Sequence, residues 1–144
     1  NKYQVPGRCM SVAVFINIAM IFLLSSPLAI LVTAREYDVQ YDWTLTELAA
    51  LEDGLRPAVI DIVRHRRPLT DIDEQDSALI AFARELFGGH NVGAETYGRA
   101  ARAFGERDLV DVVGLMGAHA ADTAVLAAFD QHLPEGRQPL LPLP

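Results

Sequence analysis

Apolar positions along the 144-residue chain recur at helical spacing, and no stretch longer than a few residues alternates with period two. The pattern predicts an all-α protein. Residues 39–53 place Tyr41, Leu45, Leu48, Ala49 and Leu51 on one broad apolar face, with Gly54 as the stop. "RPAVIDIVRHRRP" predicts a short helix with Pro57 in its first turn and Pro68 beyond its end. "TDIDEQDSALIAFARELFGG" carries the clearest amphipathic stripe: Leu79, Phe82, Ala83 and Leu86. Asp71, Asp73 and Glu74 crowd its start, where the helix dipole favours negative charge, and Gly88-Gly89 ends it. "AETYGRAARAFG" predicts a further short helix closed by Gly105. The longest helix is expected from Glu106 to His132. From Leu109 to Phe129 it is apolar nearly all round, which predicts burial on most sides, by a second subunit as well as by its own domain. The tail "PEGRQPLLPLP" is Pro-rich and extended; it reads as loose, with a drape over a neighbour as the alternative.

The N-terminal stretch has its own pattern. No residue from Val12 to Ala34 is charged, a length that meets the threshold for a transmembrane helix. Lys2 and Arg8 precede it, and Val32-Thr33-Ala34 matches a small-residue cleavage pattern, so a signal peptide and a membrane anchor both stay open. Ser25-Ser26-Pro27 would break a membrane helix near its middle. The remaining reading is two buried helices, 12–24 and 28–39, with Ser26 as the second one's N-cap and Pro27 in its first turn. On that reading the protein is cytoplasmic. Three regions follow: an apolar segment 1–27, a helical domain 28–134 and a tail 135–144.

Composition narrows the function classes. The chain is 51% hydrophobic and 22% charged, with a formal net charge of −7, which argues against a nucleic-acid partner. Its one basic cluster, "RHRRP" at 64–68, reads as a solvated helix end. Cys9 is the one cysteine, so these residues hold neither an internal disulfide nor a C-x-x-C pair. No His/Glu spacing suggests a metal site, and no Gly-rich phosphate loop or Gly-x-Ser-x-Gly elbow is present; no metal and no cofactor are expected.

Several pieces, in order, carry a resemblance: "LAILVTAREYDVQYDW", "ELAALEDGL", "VIDIVRHRRP", "ALIAFARELF", "ETYGRAARAFGERDLVDVVGLMG" and "LAAFDQHLP". Residues 28–134 resemble the carboxymuconolactone decarboxylase family, which also holds the alkylhydroperoxidase D-like (AhpD-like) proteins. The resemblance implies an all-α fold and homo-oligomers, dimers, trimers or hexamers. It also implies that "LAILVTARE" is a core helix, not a cleavage site. The chain departs from the family where its chemistry is done. Peroxidase-like branches use a C-x-x-C pair; here the region reads Val39-Gln40-Tyr41-Asp42. The branch without cysteines shows Tyr-Glu-Trp-x-x-His; here Tyr41-Asp42-Trp43-Thr44-Leu45-Thr46 puts Thr46 at the His position. Thr cannot shuttle a proton at neutral pH. An upstream family Glu falls near Pro27, and a common Gly-Tyr-Tyr is Gly117-Ala118-His119.

Two groups of residues are candidates for chemistry. His119 lies in the apolar run with Asp122 three positions on, so both share a helix face. Functionally they form a general acid/base with its orienting carboxylate; structurally they form a buried polar pair. Asp42 and Thr46 share a face of the preceding helical segment, with Tyr41 and Trp43 beside them and Arg35 and Glu36 a turn or two earlier. These residues line a polar pocket, or else form a surface face with one core Trp. His65, His90 and His132 read as loop or helix-end residues. Three hypotheses follow: a decarboxylase-like acid/base enzyme for a small carboxylate or lactone, a non-catalytic oligomeric or ligand-binding protein, and a membrane-anchored or secreted helical domain.

Overall fold

The computed structural model describes residues 26–129 and 131–143. Among them are six α-helices, which we number α1 (Pro27–Glu36), α2 (Gln40–Glu52), α3 (Pro57–Arg64), α4 (Glu74–Ala83), α5 (Ala94–Phe104) and α6 (Glu106–Ala128). A π-helical turn, Arg84–Gly88, prolongs α4, and no strand occurs among the described residues. The expected helices at 12–24, and Cys9, lie outside the described residues.

The centre of the fold is α1. Its run of apolar residues covers the whole circumference, so it is buried all round: Leu28, Ala29, Leu31, Val32, Thr33 and Ala34 are each at most 2% exposed. Helices α2, α3, α4 and α6 pack against it. The hydroxyl of Thr33 donates back to the Ala29 carbonyl at 2.8 Å, which satisfies the one polar side chain in that run. Ser26 stands at the expected N-cap position, but its side chain makes no capping bond. The helix ends three residues earlier than the periodicity suggests. Asp38 enters the left-handed region (φ 55°), so the chain turns at Tyr37-Asp38 before α2 begins.

Helix α2 corrects the expected face. Trp43, Thr44, Glu47 and Ala50 are buried, while Leu48 and Leu51 are 38% and 40% exposed. The large indole decides the rotation: burying it and Ala50 on α1 carries Thr44 and Glu47 inward. Both polar groups then find partners, which offsets their desolvation. Gly54, at φ 89°, ends α2 as expected, and the Leu55 N–H closes the turn onto the Ala50 carbonyl at 2.8 Å.

Beyond α2 the boundaries follow the sequence signals. Asp73 caps α4, its carboxylate accepting from the Asp76 N–H at 3.1 Å. After the π turn, Glu85 reaches across the following loop. Its two oxygens accept from the Gly93 N–H at 2.8 Å and the Thr96 hydroxyl at 2.5 Å, capping α5. Phe82, Ala100 and Leu109 form a second, smaller core where α4, α5 and α6 meet. Gly105, at φ 82°, makes the sharp joint between α5 and α6.

Two expectations about the C-terminal part are corrected. Helix α6 ends at Ala128, and it is not buried on most sides: only Leu109, Val112, Met116 and Thr123 are. It is held chiefly by contacts to α1 and α5, with Leu115 and Val113 partly buried against the two cores, while the opposite side of the helix is exposed. Val110, Val125 and Phe129 are 70%, 57% and 80% exposed, and Gly114, Gly117, Ala118, Ala121 and Ala124 are exposed between them. By length and composition, α6 is the one helix among the described residues long and apolar enough to cross a membrane.

The tail is not loose. Leu141 is 4% exposed in the main core, and Leu140 packs beside it. The Leu140 N–H donates to the Thr44 hydroxyl at 3.3 Å. Turned to satisfy both of its ends, the Gln40 carboxamide donates to the Leu141 carbonyl at 2.7 Å and accepts from the Leu141 N–H at 3.0 Å. Leucines between prolines thus pair with the start of α2 of the same chain.

Candidate functional site

The candidate residues divide into three places. The first joins α2 to α6. Asp42 lies in the first turn of α2 and faces the C-terminal half of α6. His119 and Thr123 stand four apart there, one above the other on the same face. Thr123 is buried, and its hydroxyl donates to Asp42 Oδ2 in a long hydrogen bond of 3.4 Å. Burial pushes the Asp42 carboxyl above its ordinary range. The positive form of His119 and the Thr123 hydroxyl hold it back, and the charge of Asp122 pushes it further up. His119 is half-buried and Asp122 is exposed. No hydrogen bond or ion pair joins His119 to Asp122 among the described residues, and the carboxylate on which His119 acts electrostatically across the helix interface is Asp42.

Trp43 sits elsewhere. It is fully buried on the α1 side of α2, and its indole N–H donates to Glu47 Oε2 at 2.6 Å. The other Glu47 oxygen pairs with Arg64 from the end of α3, whose guanidinium lies 5.9 Å over the indole ring. Arg64 Nε is buried without a partner among the described residues. Trp43 was expected to wall a pocket around His119; its ring is fully buried in the core and bonded to Glu47. A bulky ring is accommodated in the core, and its one polar atom is satisfied one turn along its own helix. Tyr41 and Thr46 are half-buried, and neither hydroxyl makes a hydrogen bond among the described residues.

Arg35 and Glu36 form the third place, at the corner between α1 and α2. Arg35 pairs with Asp38, and its Nε is buried without a partner among the described residues. Arg66, itself left-handed at φ 49°, donates to the Arg35 carbonyl at 2.9 Å and lies 3.6 Å from both Glu36 and Asp38. Arg84 donates to the carbonyls of Ile62 (3.2 Å) and Arg67 (3.0 Å). Burial pushes its guanidinium down, against the attraction of Glu36. This corner ties the α1–α2 turn to the end of α3, and it does not converge with His119.

Glu47, Arg64 and Thr123 were not legible as site residues. Spacing offers a signal for two of them, since Glu47 follows Trp43 and Thr123 follows His119 by four. Arg64 reads as part of a solvated cluster, and His65, Arg66 and Arg67 are indeed exposed. No group of three metal-ligating side chains occurs among the described residues.

Comparison with known proteins gives the fold a counterpart. No family model matches the chain, and no curated protein matches it in sequence. The structure is similar to that of a protein of unknown function from Agrobacterium tumefaciens, provisionally described as an antioxidant defence protein AhpD. The TM-score is 0.68 at 16% identity, over 90% of this chain and 92% of the other. The fold is thus AhpD-like and all-α, as the resemblance implied.

Proposed function

We propose that this protein carries out acid–base chemistry on a small carboxylate or lactone, as a divergent carboxymuconolactone decarboxylase-like protein. The observation that carries the reading is the half-buried Asp42 carboxyl beside His119, joined across two helices and anchored by Thr123. Neutral imidazole accepts a proton from the carbon next to the substrate carbonyl, leaving an enolate and an imidazolium. Asp42 stabilises that imidazolium, which then returns the proton to carbon. Asp122, one turn along α6, keeps the local field negative. Tyr41 and Thr46 supply hydroxyls on neighbouring positions of α2. A thiol peroxidase cycle within one chain is not part of this reading, because it needs two exchanging cysteines and these residues hold one.

The test is exchange of the substrate's carbon-bound hydrogen with deuterated water, followed by NMR over a panel of small lactones and carboxylates. Exchange above the buffer rate, lowered about 10²-fold or more in His119→Gln and in Asp42→Asn, supports the reading. Exchange no faster than buffer across the panel, or unaffected by both substitutions, overturns it. A second reading is a ligand-binding protein without turnover. It is favoured by the closed Trp43–Glu47–Arg64 unit, whose polar groups are paired with one another beside Thr46, the position at which the resembled family carries its His. Saturable binding of a panel member by calorimetry, with no exchange, selects it.

A further inference from the structure

The first turn of α2 is held from two sides by segments that follow one another in the chain. Asp42 is two residues from both Gln40 and Thr44, which places it about 200° round the helix from each. Asp42 meets Thr123 of α6, while Gln40 and Thr44 meet the tail. That turn needs holding. Its N-cap position is Val39, which makes no side-chain cap, so nothing there ties down the first N–H groups of α2. Helices α2 and α6 both pack closely on α1 but not on each other, so helix packing alone does not set the distance from Asp42 to α6. The Thr123 bond to Asp42, at 3.4 Å, is long and weak. The grip on the other side is tighter. The Gln40 carboxamide donates to the Leu141 carbonyl at 2.7 Å and accepts from the Leu140 and Leu141 N–H groups at 2.7 and 3.0 Å. Pro139 and Pro142 carry no N–H, so the tail presents these two donors between its prolines, and Gln40 takes both in a single register. Leu141, buried in the main core, seats the tail beneath that grip.

We propose that the C-terminal tail is a strap that positions the candidate site, with Gln40 as the positioning residue. By gripping Leu140 and Leu141, Gln40 holds the first turn of α2 where Asp42 meets Thr123 of α6. The tail continues α6, so the strap and the helix that carries His119 and Thr123 are one piece of chain. Between them the chain reverses at Gly136 (φ 81°), where the Arg137 N–H closes on the Pro134 carbonyl at 3.1 Å. The prolines at 134, 139 and 142 stiffen the strap, so little chain freedom is lost when it closes. Releasing it would let the α2 turn fray and admit water to Asp42. Burial is the largest influence on that carboxyl, and the charges that act on it are His119 and Asp122, both on α6. A freed turn therefore returns Asp42 from above toward the ordinary carboxylate range. What this does to turnover rests on the acid–base reading, whereas the positioning itself does not.

The titration of Asp42 in the full chain, followed by carbon-13 NMR of its carboxyl, tests the strap. Gln40→Ala removes the grip and leaves Leu141 to fill the core. It should lower the Asp42 pKa by about half a unit or more. It should also speed amide exchange at Trp43 and Thr44 about tenfold. Leu141→Ala should do the same. Asp73→Ala, which removes the α4 cap, controls for general loosening and should leave both readings unchanged. Unchanged readings in both tail variants, or an equal change in Asp73→Ala, overturn the proposal. The wild-type protein gives a second arm that no folding defect affects. In mild urea the amides of Leu140 and Leu141 and those of Trp43 and Thr44 should open with one shared free energy. Tail amides that open more easily while Trp43 and Thr44 stay protected overturn it as well. Where the substrate's carbon-bound hydrogen exchanges, Gln40→Ala should slow that exchange roughly tenfold. Absence of exchange in every variant would count against the acid–base reading alone, because the titration reads the strap without turnover.

Discussion

Replacing Arg64 by Met would isolate the Glu47 carboxylate. The Glu47 side chain is 9% exposed and that of Arg64 25% exposed, so the pair is nearly but not fully out of water. Breaking a buried pair by removing one partner typically costs 3–5 kcal/mol, because the remaining charge is left uncompensated. Access of water along the more exposed Arg64 stem reduces this to about 2–3 kcal/mol, including the lost contact with the indole face. For a chain of this size that corresponds to a fall in Tm of about 6–9 °C. In Glu47→Gln the indole keeps an acceptor, so the double variant Glu47→Gln/Arg64→Met should lie within about 1 kcal/mol of the wild type. The coupling energy is then about 2 kcal/mol. Trp43 is the one tryptophan of the chain, so its fluorescence during urea unfolding reports on this unit directly. An Arg64→Met cost below about 0.5 kcal/mol, or a double variant that loses the sum of the two singles, would refute the reasoning.

Other perturbations probe separate links. Leu141→Ala should cost about 2 kcal/mol in urea unfolding, since a 4% exposed leucine anchors the tail on the core; a negligible loss would return the tail to the loose state expected from sequence. Asp73→Ala should cost about 1 kcal/mol by removing the α4 cap, and Asp73→Asn should recover most of it; equal losses would point to the Arg56 contact instead. Burial raises the folded pKa of Asp42 above its unfolded value, so its favourable contribution is full below the unfolded pKa and lost as pH rises through the folded one. Asp42→Asn should therefore raise Tm at neutral pH, with the advantage shrinking as pH falls into the carboxylate range, and a gap that widens on acidification would contradict the assigned direction.

The helices were legible because their stops are chemical: Gly54, Gly105, Pro57 and the Asp73 cap act within one turn of the chain. Burial was less legible, because apolarity says which surface avoids water and not which neighbour covers it. Helix α6 shows this, reading as a core helix while only four of its residues are buried and one whole side is exposed. On α2, the leucines at 45, 48 and 51 outlined one face. The other was chosen by Trp43 together with an ion pair whose second member lies seventeen residues away. Such a pairing depends on how α2 and α3 cross, which no local spacing encodes. The same limit applies to the site. The i,i+3 relation of His119 and Asp122 was visible, but the approach of Asp42 depends on the register between α2 and α6.

The reach of Glu85 makes the α4–α5 connection a ruler. Surface loops ordinarily accept added or deleted residues with little loss. Here one carboxylate must meet the Gly93 amide and the Thr96 hydroxyl together, with the turn closed by the Gly89 N–H on the Glu85 carbonyl at 2.9 Å. Adding a residue between Gly88 and Val92 would shift α5 off its cap, while most replacements in that stretch would leave the span unchanged. Divergence of this segment among descendants of the same ancestor should therefore proceed by exchange of side chains at constant length, and grafts or tags are better placed in another loop.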